Sequence, residues 1–191
     1  MRTVLFIRHG ATEGNTRKRY IGRTDEPLSL LGIEQARVLT PKLPVCDAVF
    51  SSPLLRCRQT ADKLFPGYPV NILNDLRECD FGAFEGKNYS ELKNDPEYIK
   101  WLSTNYESPI PGGENLTVFS ARCCEAFTRA ALSLPENVTA AFVTHGGCIM
   151  AILGRYAWPR REFYEYYIKN CQYLTCDFEN KSLVITGDSL C

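Results

Sequence analysis

Two apolar segments of this chain each end in a histidine that glycine follows. Residues 4–7 run up to His9, and residues 140–144 run up to His145. Short apolar runs bounded by glycine are typical of buried parallel strands, and ligands of such sheets bind just beyond the carboxyl ends of the strands. Because these are the only two histidines, we expect one site that contains both imidazole rings. The alternative is two hydrogen-bonded core histidines, but both would precede glycine by chance in only roughly 0.5% of cases.

The charge balance restricts the partners that the chain can have. It has 22 Lys and Arg residues against 22 Asp and Glu residues, without a basic stripe. This balance argues against nucleic acid or an anionic membrane as the main partner. No apolar run approaches the length of a membrane span, and Met1-Arg2-Thr3 leads into a predicted strand instead of a signal peptide. We therefore expect a cytoplasmic protein, monomer or homodimer, with one domain over residues 1–191.

The chain has nine cysteines, the last of them Cys191, and no Cys-x-x-Cys pair. Two histidines contribute little to a zinc site, so we expect no metal centre. Without a secretory signal, the thiols are expected to be reduced and to fill the core as small hydrophobic groups. Cys79 and Cys148 are expected to lie near the site.

Strand-like and helix-like segments alternate along the chain, which predicts a three-layer α/β/α sandwich over a mostly parallel sheet. The predicted strands are residues 3–8, 47–50, 70–73 and 140–144, followed by a hairpin of 171–178 with 183–186. The predicted helices are residues 30–40, 53–65, 115–134 and 148–153.

Local signals mark where several of these elements begin and end. Ser29 is a predicted N-cap, Pro41 is predicted to end the first helix, and Ser51-Ser52-Pro53 is predicted to open the second. Residues 12–25 are predicted to form a polar loop. Residues 81–114 are aromatic and irregular, so we expect them to form an excursion over the strand ends, with one short helix beginning at Asp95-Pro96.

Five motifs follow one another in order along most of the chain. They lie in residues 5–32, 51–60, 76–86, 111–114 and 144–147, the first of them including Arg19-Tyr20-Ile21-Gly22 and Leu28-Ser29-x-x-Gly32. An Arg-His-Gly triplet alone is a weak signal, whereas five motifs in register are a strong one. The series resembles the histidine phosphatase (phosphoglycerate mutase-like) superfamily, and this resemblance implies a phosphoglycerate mutase-like fold and a phosphoryl-transfer site.

The resemblance gives the charged residues their roles. His9 matches the nucleophile, since a neutral imidazole is not repelled by a phosphate dianion and can form a phosphohistidine. One ring nitrogen must be unprotonated, and the other needs a carbonyl acceptor that the sequence does not identify. Arg8 and Arg56 match a clamp on the phosphoryl oxygens, and His145 matches a second donor to them. Arg58 is the rival of Arg56, although it should point to another face of the helix.

Glu78 matches the general acid of the family. It would protonate the departing alkoxide and later accept a proton from the attacking water, and nearby phosphate charge would raise its pKa. The competing carboxylates are Asp80, Glu85 and Glu114. The resemblance also implies substrate contacts from Asn15, Gly22 and Gly146. With this cationic set, neither a metal nor another cofactor is required.

Three functions share these residues: a phosphatase, a mutase of small phosphorylated acids, and a non-catalytic phosphate-binding module. The compact interval between Glu78 and His145 favours the phosphatase, as does His-Gly-Gly where the family's mutases often have His-Gly-Asn. The presence of every charged residue argues against the non-catalytic module.

Within the phosphatases, the chain is most similar to the α-ribazole phosphatase branch. That likeness implies a small phosphorylated substrate, α-ribazole 5′-phosphate, and a role in cobalamin biosynthesis, with sugar phosphates and phosphoglycerate as alternatives. Six aromatic residues crowd the excursion, and most are expected to form its core while one or two stack on a substrate ring. They are Phe81, Phe84, Tyr89, Tyr98, Trp101 and Tyr106.

Overall fold

A computed structural model of the protein describes residues 1–188. Its sheet has six strands in the order β3-β2-β4-β1-β5-β6. The first four of these pair in parallel, while β5 pairs antiparallel with both β1 and β6. The parallel part is thus extended at one edge by an antiparallel hairpin, whose turn residues Asn180 and Lys181 both have positive φ, as a two-residue type I′ turn requires. The strands are β1 Arg2–Arg8, β2 Ala48–Ser51, β3 Val70–Ile72, β4 Thr139–Thr144, β5 Tyr173–Glu179 and β6 Ser182–Asp188.

Seven α-helices occur among the described residues: α1 Glu13–Thr16, α2 Leu30–Leu39, α3 Leu55–Leu64, α4 Tyr89–Leu92, α5 Pro96–Ser103, α6 Leu116–Ser133 and α7 Gly146–Tyr156. Three of the longer ones begin at a side-chain cap. Ser29 accepts from the Gly32 N–H, Asp95 from the Tyr98 N–H, and Asn115 from the Val118 N–H. Such caps satisfy N–H groups that the helix itself leaves unpaired.

The side chains of β1 alternate between two cores, which gives the fold its three layers. Val4 and Phe6 pack in the cluster that contains α6 and α7. Leu5 and Ile7 pack in the cluster that contains α2 and α3. Because successive strand residues point to opposite faces, helices cover both sides of the sheet. The α/β sandwich over a mostly parallel sheet is therefore confirmed.

The structure corrects several predicted segments, among them the helix 148–153, which is α7 Gly146–Tyr156, and the strand 171–178, which is β5 Tyr173–Glu179. The helix predicted for residues 53–65 is α3, and it begins at Leu55 and not at Pro53. The Ser52 hydroxyl is hydrogen-bonded to His145, and the Asp25 carboxylate accepts from the Leu55 N–H at 2.6 Å. The loop 12–25 contains α1, which a capping box at Thr12 stabilises. The prediction that Pro41 ends the first helix is confirmed, since α2 ends at Leu39; the chain then continues into a 3₁₀ turn, Thr40–Lys42, that contains Pro41.

The excursion is more regular than expected. It holds a 3₁₀ turn at Gly82–Phe84 and the helices α4 and α5. At Gly82 the backbone has φ +44, and a Cβ would lie 2.3 Å from the Pro111 carbonyl oxygen. Glycine is therefore needed where this turn crosses residues 110–113.

Eight cysteines lie within the described part of the chain, and all are buried free thiols. This confirms the prediction that the thiols fill the core; Cys191 lies outside the described residues. Among residues 1–188, no helix combines the length and the apolar character that crossing a membrane demands.

Candidate active site

The two histidines meet at the carboxyl ends of neighbouring strands. β1 and β4 pair in parallel with Arg8 opposite Thr144, so His9 and His145 emerge side by side. Their ring centroids are 5.1 Å apart, with the planes inclined at 65°. Both side chains are buried. The structure thus brings together the pair that the sequence predicted would share one site.

The hydrogen bond of His9 defines its tautomer. Its Nδ1 lies 2.7 Å from the carbonyl oxygen of Gly10. Since a carbonyl only accepts, Nδ1 carries the proton and Nε2 keeps its lone pair. Burial, and then the charges of Arg56 and Arg8, hold the His9 pKa well below its usual range. The ring is therefore neutral, as a nucleophile must be.

Two guanidinium groups approach this site from different elements. Arg56, on the first turn of α3, is fully buried and donates to the carbonyls of Ile21, Gly22 and Thr24. Arg8 donates to the Ile168 carbonyl at 2.9 Å, and its guanidinium lies 5.1 Å from the centre of the Tyr167 ring.

In the described part of the chain, the Nε–H groups of Arg8 and Arg56 are buried without a hydrogen-bond partner. An unsatisfied buried cationic donor is costly unless an anion binds to it. Arg8 lines the cavity beside His9, so its unused Nε–H group points to an anion-binding site there, whereas Arg56 is fully buried and does not line that cavity. The rival Arg58 is exposed.

His145 is held in place by Ser52, which the sequence predicted to be a helix cap. Its Nε2 lies 2.8 Å from the Ser52 hydroxyl and 3.4 Å from the Cys57 sulfur. When the hydroxyl donates this bond, the ring proton is on Nδ1. Burial, followed by the charges of Arg56, His9 and Arg8, lowers the His145 pKa well below its usual value. In the sequence, the place of Ser52 in the Ser51-Ser52-Pro53 motif was the signal that could have marked it as a site residue.

Glu78 is the acidic residue of the site. Its carboxyl oxygens accept from the N–H groups of Cys79, at 2.9 Å, and Gly147, at 3.2 Å. Burial raises its pKa, against the opposing effect of these two hydrogen bonds and of Arg56 and Arg8. The carboxyl group thus keeps its proton to a higher pH than an exposed glutamate does.

The competing carboxylates are engaged elsewhere. Asp80 pairs with Arg23 at 3.0 Å, and Glu114 pairs with Arg122 at 2.6 Å. Glu85 accepts from the N–H groups of Gly22 and Thr24. Glu78 lines the cavity beside His9, whereas Asp80, Glu85 and Glu114 do not.

The three further predicted contacts occupy different positions. Asn15 and Gly146 line the cavity. The Asn15 Oδ1 already accepts from Thr12 and Asn170, so its NH₂ group is the part offered to an anion. Gly22 does not line the cavity: its N–H donates to Glu85 and its carbonyl accepts from Arg56. Gly22 thus supports Arg56 in this structure, and its predicted phosphate contact stays a prediction.

A cavity of about 300 Å³ opens beside His9. Of the six aromatic residues of the excursion, Phe81, Trp101 and Tyr106 line it, while Phe84 and Tyr98 are buried in the core and Tyr89 is exposed. The remaining aromatic wall residues are Tyr20, Phe119, Phe163, Tyr164 and Tyr167. Sequence reasoning missed the wall at 163–167, although its run of four aromatic residues among five was a visible signal.

Comparison with known proteins agrees with this geometry. The model of the histidine phosphatase superfamily (branch 1) matches residues 4–187. The chain belongs to the histidine phosphatase superfamily.

Individual relatives of this superfamily carry different names. GpmB of Proteus mirabilis (strain HI4320), named a probable phosphoglycerate mutase, is 29% identical, covering 98% of this chain and 90% of its own. The α-ribazole phosphatase of Shigella flexneri has a TM-score of 0.84 at 25% identity, covering 96% of this chain and 94% of the other. The phosphoserine phosphatase of Entamoeba histolytica, solved with 3-phosphoglyceric acid, has a TM-score of 0.86 at 28% identity, and the match covers 98% of this chain and 96% of the other.

For a histidine phosphatase, the arrangement supplies a neutral nucleophile, the cationic donor Arg8 and a carboxyl group of raised pKa around one cavity. Arg56 and His145 are fully buried and do not line that cavity. Within residues 1–188, no group of three or more histidine, cysteine or acidic side chains is arranged to hold a metal ion. The prediction that no metal takes part remains a prediction.

Proposed function

We propose that this protein is a phosphomonoesterase that forms a phosphohistidine on His9. The observation that carries the proposal is the His9 tautomer: with Nδ1 bonded to the Gly10 carbonyl, the Nε2 lone pair is available. The charges of Arg56 and Arg8 act on this ring, and each of these arginines keeps an unpaired Nε–H group. Nε2 attacks phosphorus, the bond from phosphorus to the ester oxygen breaks, and Glu78 gives its proton to the leaving alkoxide. Arg8 and Arg56 stabilise the charge on the phosphoryl oxygens throughout.

In the second half of the reaction, water attacks the phosphohistidine. The Glu78 carboxylate accepts the proton of that water, inorganic phosphate is released, and His9 returns to its neutral form. The balance of atoms and protons is complete without a metal or a redox partner.

A mutase of small phosphorylated acids is the second candidate, and the name of the Proteus mirabilis relative favours it. A mutase must hold its phosphohistidine away from water until the dephosphorylated product returns. Against this candidate, the interval between Glu78 and His145 is compact, and His-Gly-Gly replaces the His-Gly-Asn frequent in the mutases of the family.

For the substrate we propose α-ribazole 5′-phosphate. Away from His9 the wall is mainly aromatic, which suits a flat ring. Arg19 also lines the cavity, but it is already bonded to the Gly86 carbonyl and lies 3.4 Å from Glu91. The carboxylate of a phosphoglycerate or of phosphoserine would therefore have to compete for that cation.

A substrate panel tests this assignment. We expect kcat/KM for phosphate release to be highest for α-ribazole 5′-phosphate among that compound, 3-phosphoglycerate, phosphoserine and glucose 6-phosphate. Tyr164→Ala should remove about 1–3 kcal/mol of binding for the ribazole alone. Tyr89→Ala is the matched control, since Tyr89 is 61% exposed and lies outside the cavity wall.

Two results would contradict the assignment. A tenfold preference for glucose 6-phosphate, 3-phosphoglycerate or phosphoserine would exclude the ribazole and leave the phosphatase mechanism in place. Transfer of the phosphoryl group from 3-phosphoglycerate to a glycerate acceptor, faster than release to water, would establish the mutase.

Other expectations stay predictions: the single domain over residues 1–191 with 81–114 covering the site, the monomeric or homodimeric state, the cytoplasmic location, the role in cobalamin biosynthesis, and the absence of nucleic acid and membrane partners. The family resemblance supports the single domain, since its motifs extend over most of the chain.

A further inference from the structure

Arg122 connects helix α6 to the short segment that carries Glu78. Its Nη1 donates to the carbonyl oxygens of Asp75, at 2.8 Å, and Arg77, at 2.7 Å. Its Nη2 donates to the carbonyl oxygen of Glu78 itself at 3.0 Å. One guanidinium group therefore holds three carbonyls of residues 75–78, and its side chain is only 14% exposed.

Glu114 completes this arrangement from the other side. Its two carboxylate oxygens accept from Nε and Nη2 of Arg122 at 2.7 and 2.6 Å, which is a bidentate pair. One of the same oxygens accepts from the Asp80 N–H at 3.0 Å. Burial raises the Glu114 pKa, but the hydrogen bonds from Arg122 and Asp80 outweigh that effect and hold it below its usual range. The backbone is thus held on both sides of Glu78.

Arg122 contacts the main chain of Glu78 and leaves its carboxyl group to other donors. The carboxyl oxygens accept from Cys79 and Gly147. A change at Arg122 should therefore move the carboxyl group while leaving its immediate hydrogen-bond donors intact. A general acid must lie within hydrogen-bond reach of the leaving oxygen, and a displacement of about 1 Å can cost on the order of 10²-fold in rate.

We propose that Arg122, oriented by Glu114, is a positioning residue for the general acid Glu78. This inference rests on the proposed function, in which Glu78 protonates the leaving group. It predicts a defect that depends on the leaving group, because an aryl oxide departs without a proton whereas an alkoxide does not. A purely structural ion pair predicts equal loss on both classes of substrate.

The test compares Arg122→Lys with Arg129→Lys. Lysine keeps the charge but has a single ammonium head, which cannot replace a planar guanidinium across three carbonyls and a carboxylate. Arg129 lies on the same helix, is 73% exposed and is 3.7 Å from the Asp75 carboxylate, so it controls for charge and position on α6. Substrates are p-nitrophenyl phosphate and the alkyl phosphate of the panel that the wild type hydrolyses fastest.

We expect Arg122→Lys to lower kcat on the alkyl phosphate by about 10–100-fold and to change kcat on p-nitrophenyl phosphate far less. Arg129→Lys should leave both rates close to those of the wild type. Glu114→Gln, which keeps the shape of the side chain, should reproduce the selective loss in weaker form. Retained aryl phosphate turnover shows that each variant is folded. Equal losses on the two substrates, or no loss on the alkyl phosphate, would overturn the proposal.

A double-mutant cycle separates this inference from the mechanism on which it rests. If Arg122 acts through Glu78, Arg122→Lys should add little to the defect of Glu78→Gln on the alkyl phosphate. If the rate losses of the two single variants multiply in the double variant, Arg122 does not act through Glu78. If Glu78→Gln itself harms both substrates equally, Glu78 is not the acid and the proposed mechanism fails. If Glu78→Gln is selective and Arg122→Lys is not, only the positioning role fails.

Discussion

At the scale of single residues, burial shifts the pKa values of His9 and Glu78 in opposite directions. Burial, with Arg56 and Arg8, lowers the pKa of His9, and burial raises that of Glu78. Each shift favours the protonation state that the proposed role requires: a neutral nucleophile and a protonated acid. The reaction needs a pH above the His9 pKa and below the Glu78 pKa, and both shifts favour such a range.

We predict that kcat/KM for an alkyl phosphate falls as the pH rises through the raised pKa of Glu78, because the carboxyl group then loses its proton. The acidic side also contains the second ionisation of the substrate, with a pKa of about 6, so the alkaline side is diagnostic. Glu78→Gln should lower the rate by about 10²–10⁴-fold and abolish this fall, because an amide does not titrate. A fall that persists in this variant would show that another group titrates.

The sequence motifs identified the charged residues of the site but not the hydrogen bonds that hold them. His9, Arg8, His145 and Glu78 follow recognisable blocks, and all lie in the site. The Gly10 carbonyl that sets the His9 tautomer has no side-chain signature, so the sequence could not identify it. The roles of Ser52 and Gly22 depend on pairings with residues 93 and 34 positions away along the chain, which local patterns do not encode.

At the scale of elements, the first turn of α7 brings two glycines into contact with different site residues. A Cβ at Gly147 would lie 2.4 Å from Oε1 of Glu78 and 3.2 Å from the Phe119 ring. A Cβ at Gly146 would meet Arg8 at 3.5 Å, an ordinary contact distance. The second glycine of His-Gly-Gly is therefore required for Glu78 to occupy its place, which gives the motif a physical reason.

We predict that Gly147→Ala lowers kcat on alkyl phosphates by at least about tenfold, since the added methyl group displaces the general acid. Gly146→Ala is the matched comparison and should lose far less. Alanine is the better helix former by roughly 0.5–1 kcal/mol, so a loss in the first variant cannot come from helix propensity. Thermal unfolding and kcat of both variants check this, and equal activities would refute the steric argument.

The elements themselves were predictable where the local signal is strong, as in the apolar run of β1, the Asp95-Pro96 start of α5 and the helical spacing of apolar residues in α6. The errors arose where a side chain is engaged by a distant group. Ser52 bonds His145, and Asp25 supplies the acceptor at the start of α3. The helix consequently begins two residues later than its local sequence indicates.

At the scale of the whole molecule, the cavity is assembled from parts that are far apart in sequence. Its wall combines Tyr20, the excursion at Phe81–Tyr106, Phe119 of α6 and the segment 163–167. The sheet order places β1 beside β4 and brings these parts around His9. A pocket of this kind depends on packing between layers, so the sequence predicted its aromatic character only for the excursion.

The central claim is that the phosphoryl group passes through His9, and trapping that intermediate tests it most directly. The enzyme is mixed with ³²P-labelled substrate, quenched without acid, and mapped by mass spectrometry. Because the chain has only two histidines, the site of an acid-labile, alkali-stable label is unambiguous. We predict label on His9, and neither label nor turnover in His9→Ala. Label on His145 or on a cysteine, or turnover retained in His9→Ala, would contradict this claim.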